Sequence, residues 1–214
     1  MIVRINPKYF ELEGFIKAIP YIFSTFGEMV HEGKNVIKTF KVNGTLINVK
    51  SFKVPVFPNK IAYKYLRKSK SERSFDYAHL LLERGVNTPD PIAYIDISKN
   101  GLYTQSYYVS IHEQMDGIMN DICNESVKEN EALIEAYKGY TAFLHRRGIP
   151  YKNYSPANVM YKKVGAEYEF CIIGLNKIKL KRFNLFNSYR KIMHIKVDEK
   201  IQEFVSARYA FKRN

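Results

Sequence analysis

Basic side chains dominate the chemistry that this sequence offers. Lys60, Lys64, Arg67, Lys68, Lys70 and Arg73 fall within one stretch, and Lys177, Lys179, Lys181 and Arg182 within another. Clustered ammonium and guanidinium groups hold phosphates, anionic head groups or phosphorylated sugars. The competing reading is a solvated basic loop. One long stretch lacks aspartate: none lies between Asp121 and Asp198, and Glu167 and Glu169 precede the apolar run FCII rather than follow it. The loop YKNYSPANVM carries two amides, Asn153 and Asn158, and an amide accepts a hydrogen bond but not a proton. Cys123 and Cys171 are too far apart for metal-ligand spacing, and Cys171 reads as a small buried hydrophobe.

Thirty-four Lys and Arg against 21 Asp and Glu leave a formal net charge of +13. That excess favours a polyanionic neighbour without choosing among nucleic acid, an anionic membrane face and a phosphorylated substrate. Hydrophobic content of 46% is ample for a core. No apolar run approaches the roughly 18 residues of a membrane span. The start, MIVRINPKYFELEGF, has acidic residues where a signal peptide would be apolar, so the chain reads as soluble and cytoplasmic.

These groups need elements to position them. Alternating segments from Asn35 to Phe40 and from Thr45 to Phe52 flank Asn43-Gly44, a strong hairpin signal. Lys50 closes the strand segment INVK. A helix is expected from about Ser71 to Arg84, with Phe75, Ala78 and Leu82 on one face and Gly85 as its stop. Strands are expected over Ala93 to Ile97 and Ser106 to Ile111, joined through Lys99-Asn100-Gly101. A second long helix runs from about Val127 to Arg147 on a stripe that includes Leu133, Tyr137, Tyr140 and Leu144, and Gly148 ends it. The loop with the two amides follows, then a strand near Glu169 to Ile173. Gly27 and Gly33 flank EMVHE without a GxGxxG pattern, so an ordinary hairpin is expected there.

Taken in order, NVIKTFKVNGTLINVKSFKVP, RSFDYAHLLLERGVNTPDPIAYI, FLHRRGIPYKNYSPANVMY and FCIIGLNKIKL resemble bacterial lipopolysaccharide-core (Kdo and heptose) kinases, small relatives of the protein kinases. The resemblance covers residues 20 to 185, roughly. It implies an α+β, two-lobed protein-kinase-like fold. The antiparallel-sheet N-lobe would take residues 1–112 (strands plus one helix), and a short, mainly helical C-lobe residues 113–214.

It also implies site residues. Lys50 is similar to the strand lysine that contacts nucleotide phosphates, and Asp76 stands where the family places the glutamate that holds it. Glu72, one turn earlier, is the substitute. Asn158 matches the asparagine that ligates magnesium, but five residues earlier, where the family has its proton-accepting aspartate, stands Asn153. Gly174 takes the place of the metal-binding aspartate, so a magnesium site would rest on Asn158 alone and be incomplete. Lys64, Arg67, Lys68 and Lys70 would contact an anionic substrate or membrane.

The leading expectation is therefore a pseudokinase that binds ATP without efficient transfer to a sugar hydroxyl. Its partner would be lipid A-core or another anionic glycolipid, met in the cytoplasm or at the inner-membrane face. An active sugar kinase with unusual metal chemistry is the second reading. A basic module for anionic membrane or nucleic acid is the third, although no zinc-finger or RRM signature points to specific nucleic-acid binding.

Overall fold

Asn43 and Gly44 both adopt positive φ, 50° and 79°. That is the turn whose twist matches two antiparallel strands joined by two residues. It closes the hairpin of β3 (Asn35–Val42) and β4 (Thr45–Phe52) in the register Val42 to Thr45 through Asn35 to Phe52. A computed structural model describes residues 1–52, 68–99, 102–122, 130–149 and 154–177, and the chain divides into two units, Met1–Gln114 and Met115–Asn214.

In the first unit β1 (Ile2–Ile5), β2 (Glu28–His31), β3, β4, β5 (Pro91–Lys99) and β6 (Leu102–Ile111) form one antiparallel sheet in the order β1-β5-β6-β4-β3-β2. Side chains alternate between the two faces of a sheet, so register assigns each residue to a side. Ile47, Val49, Ile95 and Val109 point to one face, where they are fully buried against Ile16 and Ile19 of α1 (Glu13–Ile22). Helix α2 (Lys70–Glu83) takes the other face, burying Phe75, Ala78 and Leu81, with Phe75 meeting Tyr94 edge-on at 5.6 Å.

Two expectations are corrected here. The N-terminal part holds two α-helices, not one, because α1 forms despite Gly14 and Pro20. Those residues weaken the local helical signal, but burial of Ile16 and Ile19 in the sheet core overrides it. On α2 the buried position is Leu81, and Leu82 is exposed, since packing against β5 selects the Phe75–Ala78–Leu81 spacing. The turn Asn100-Gly101 lies outside the described residues.

Lys38 is buried on the α1 face, where its ammonium donates to the carbonyls of Ser24 and Phe26 at 3.2 and 3.1 Å. It thereby satisfies backbone acceptors just past the end of α1. On the opposite face, Ser69 caps α2 by accepting the Glu72 N–H at 2.9 Å. Ser71 donates to the buried Asp96 at 2.5 Å, and the Tyr103 hydroxyl donates to the same oxygen at 3.3 Å. This network ties the first turn of α2 to β5.

The second unit is built on the antiparallel sheet β7-β8-β9: β7 (Gly117–Ile118), β8 (Val159–Val164) and β9 (Glu167–Ile172). The short α3 (Met119–Ile122) and the long α4 (Glu131–Arg146) accompany it. Tyr137 and Tyr140 of α4 pack on Phe170 of β9 at 5.7 and 4.8 Å. Cys171 is buried, as expected for a small hydrophobe. Among the described residues no helix is long and apolar enough to cross a membrane.

Asp96 generates a pH prediction. Burial raises its pKa above the ordinary carboxylate value, outweighing the hydrogen bonds that lower it. An acid whose folded pKa is raised contributes stability at low pH and loses it as pH climbs through the folded value. The stability of the wild type minus that of Asp96→Asn should therefore fall as pH rises above the ordinary carboxylate value in urea titrations. A constant or rising difference would contradict the assignment.

Candidate functional site

Lys50 sits near the end of β4, opposite Ile37 of β3 on one side and Tyr108 of β6 on the other. Tyr108 in turn pairs with Tyr94, and Tyr94 with Arg4. Directly opposed residues share a face, so Arg4, Tyr94, Tyr108 and Lys50 form one row across the sheet on the side that carries α2. The Lys50 ammonium lies 5.7 Å from the Phe52 ring centroid, two residues along the same face. The central strand thus presents a half-buried ammonium on a rigid support, as phosphate binding requires.

Asp76 lies on α2 above this row. Its carboxylate is held by Arg4 at 3.2 Å and by Lys68 through a short ion pair. Lys68 also bonds Glu72 at 3.4 Å, and the Asp76 contact raises the Lys68 pKa. Lys68 therefore belongs to an acid-rich patch with net compensation, while Lys70 does not share those carboxylates. Arg4 was invisible to motif reasoning because it comes from an edge strand about seventy residues away in sequence. Lys64 and Arg67 lie outside the described residues.

The second unit brings Asn158 and Gly174 together. The turn Pro156–Asn158 is fixed by the Asn158 N–H donating to the Ser155 carbonyl at 2.8 Å. Strand β8 starts at the next residue, and Val159 pairs with Ile172 at the end of β9. The chain leaving β9 therefore runs back past Asn158, whose carbonyl accepts the Ile173 N–H at 2.8 Å. Gly174 follows with φ of 75°, a conformation that side chains rarely adopt.

The Asn158 amide packs directly on the Gly174 Cα. A Cβ placed on Gly174 would lie 2.3 Å from Asn158 Oδ1 and 2.8 Å from its Cγ, well inside contact distance. The amide is not loose, because its Nδ2 donates to Ser155 Oγ at 3.1 Å. Ser155 is the residue that sequence reasoning missed, and its position three before Asn158 is the only signal for it. Asn153, at the position of the expected base, lies outside the described residues, as do Tyr151, Lys179, Lys181 and Arg182. Tyr154 is buried within the second unit.

Magnesium is held mainly by carboxylates together with substrate phosphates. Gly174 supplies no ligand, and the volume a carboxylate would enter is filled by the Asn158 amide. Among the described residues no group of three or more His, Cys, Asp or Glu gathers at any point. Among the described residues, the donors around Asn158 include no carboxylate cluster that would hold a magnesium ion.

No protein-family model matches the chain, and no curated protein matches it. A solved structure described as WaaP in complex with acyl carrier protein does, at a TM-score of 0.60 and 15% identity, over 100% of this chain and 90% of that one. At that identity the likeness establishes the fold, which is α+β and kinase-like, with a sheet-based first unit and a second unit carrying the remaining helices.

The Gly174 contact predicts a measurable strain. Gly174→Ala should destabilise the protein by about 1–3 kcal/mol, combining the left-handed backbone with loss of the Asn158–Ser155 hydrogen bond. In an Asn158→Ala background the same substitution should cost less, because the clash is gone. Strict additivity of the two losses in denaturant titrations would show that the amide does not pack there.

Proposed function

We propose that this protein is a pseudokinase of the lipopolysaccharide-kinase type, which binds a nucleotide but does not transfer its phosphate efficiently. The observation that carries the reading is the Asn158 amide seated where Gly174 would otherwise bear a metal-binding carboxylate. The kinase-like fold makes a nucleotide the natural ligand. Lys50, held on the central strand, would contact its phosphates as a fixed positive charge.

Two further considerations support the reading. The amide of Asn153 cannot take a proton from a sugar hydroxyl. Loss of a general base costs about 10²- to 10⁴-fold in rate, and loss of a metal that stabilises charge costs several kcal/mol more. The acceptor that the sequence resemblance implies, lipid A-core or another anionic glycolipid, would on this reading be bound as a partner rather than consumed. The basic surface and net charge of +13 suit it, including at an anionic membrane face.

The active-kinase reading keeps one observation in its favour, the placement of Lys50 on the face that bears α2. Thermal melting separates the two. A ligand that binds the native state raises the midpoint by an amount set by RT ln(1 + [L]/Kd). ATP should raise the midpoint of the wild type equally with and without magnesium, and Lys50→Ala should remove the shift. Magnesium-dependent phosphate incorporation into lipid A-core that Lys50→Ala abolishes would overturn the pseudokinase reading.

A further inference from the structure

Strand β2 carries a bulge that changes the direction of its last residue. Met29 pairs with Lys38 and His31 with Ile37, so Val30 is an extra residue on β2 with no counterpart on β3. On a regular strand, residues two apart share a face. Here they do not. Met29 stands opposite Lys38, whose side chain is buried on the α1 side. His31 stands opposite Ile37, which itself pairs with Lys50. The row that runs through Arg4, Tyr94, Tyr108 and Lys50 therefore continues through Ile37 to His31.

The imidazole also lies against the turn Glu32–Lys34 that joins β2 to β3. Its Nε2 is 3.0 Å from the position a Cβ on Gly33 would take, so a side chain there would press on the ring. Gly33 does not adopt positive φ, and the backbone therefore does not call for glycine. Room for the imidazole does. Re-aiming His31 buries nothing, because the residue stays exposed. A bulge that redirects a side chain without a packing gain is of the kind found beside functional sites.

We propose that His31 is a second phosphate-binding residue of the nucleotide site, donating an imidazole N–H to a phosphate oxygen of the ligand that Lys50 also meets. The inference rests on the nucleotide reading above and narrows the ligand class. Neighbouring strands lie about 4.8 Å apart, so the backbones at His31 and Lys50, with β3 between them, stand about 10 Å from each other on one face. A ligand with several linked phosphates meets both donors, and a nucleoside triphosphate is such a ligand.

Isothermal titration with ATP tests it, using wild type, His31→Phe, His31→Lys and Met29→Ala. His31→Phe keeps a ring over Gly33 but removes both nitrogens, and should weaken binding about tenfold, as expected for a lost hydrogen bond to a charged group. His31→Lys restores a donor and should recover most of that loss. Met29→Ala, exposed on the opposite face of the same strand, should stay within about twofold of wild type. Without ligand, the variants should melt with wild type, since both positions are exposed on an edge strand, and this separates a lost contact from lost folding. Unchanged ATP affinity in His31→Phe overturns the proposal and leaves the nucleotide reading intact. An equal loss in Met29→Ala or in His31→Lys overturns it in the same way. Absence of ATP binding by the wild type overturns both.

Discussion

The pairing register of β3 with β4 is the constraint on which the first unit depends. Side chains alternate with a period of two, so slipping β4 by one residue would exchange its faces. Ile47 and Val49 would leave the α1 core, and Lys50 would enter it. Asn43 and Gly44 prevent this, because a two-residue turn with both φ values positive admits one register. Hydrophobic alternation along β4 reinforces the same choice. The position of the half-buried ammonium is therefore a consequence of turn chemistry and core burial acting together.

Helix α2 is held over that face by contacts of different kinds. Phe75, Ala78 and Leu81 supply apolar burial, and the Ser69 and Ser71 hydroxyls with Asp96 fix the first turn. Arg4 and Lys68 engage Asp76 further along. A buried, satisfied network thus anchors the helix at its first turn.

In the second unit a backbone fact controls the chemistry. The β8–β9 pairing brings Gly174 against Asn158, and the left-handed φ at Gly174 lets the chain turn there without a side chain. The Asn158 amide then occupies the freed volume, braced by Ser155. A carboxylate at this point would need the amide to rotate and its hydrogen bond to break. The absence of a side chain at position 174 and the placement of the Asn158 amide are thus coupled.

Much of this was legible in the residues. Asn43-Gly44 announced the hairpin, Gly85 and Gly148 the ends of the two long helices, and four ordered segments the kinase-like fold that the WaaP likeness supports. Those signals are local or ordered along the chain, so they survive without coordinates. Helix α1 was not legible, because Gly14 and Pro20 mask a helix that exists only through burial against the sheet. Nor was the Arg4 partner of Asp76, since it reaches α2 from a strand distant in sequence. The sequence by itself determined that position 174 is a glycine with no carboxylate to offer; only the tertiary structure decided that the Asn158 amide lies against it, because strand pairing brings together residues that the chain keeps apart.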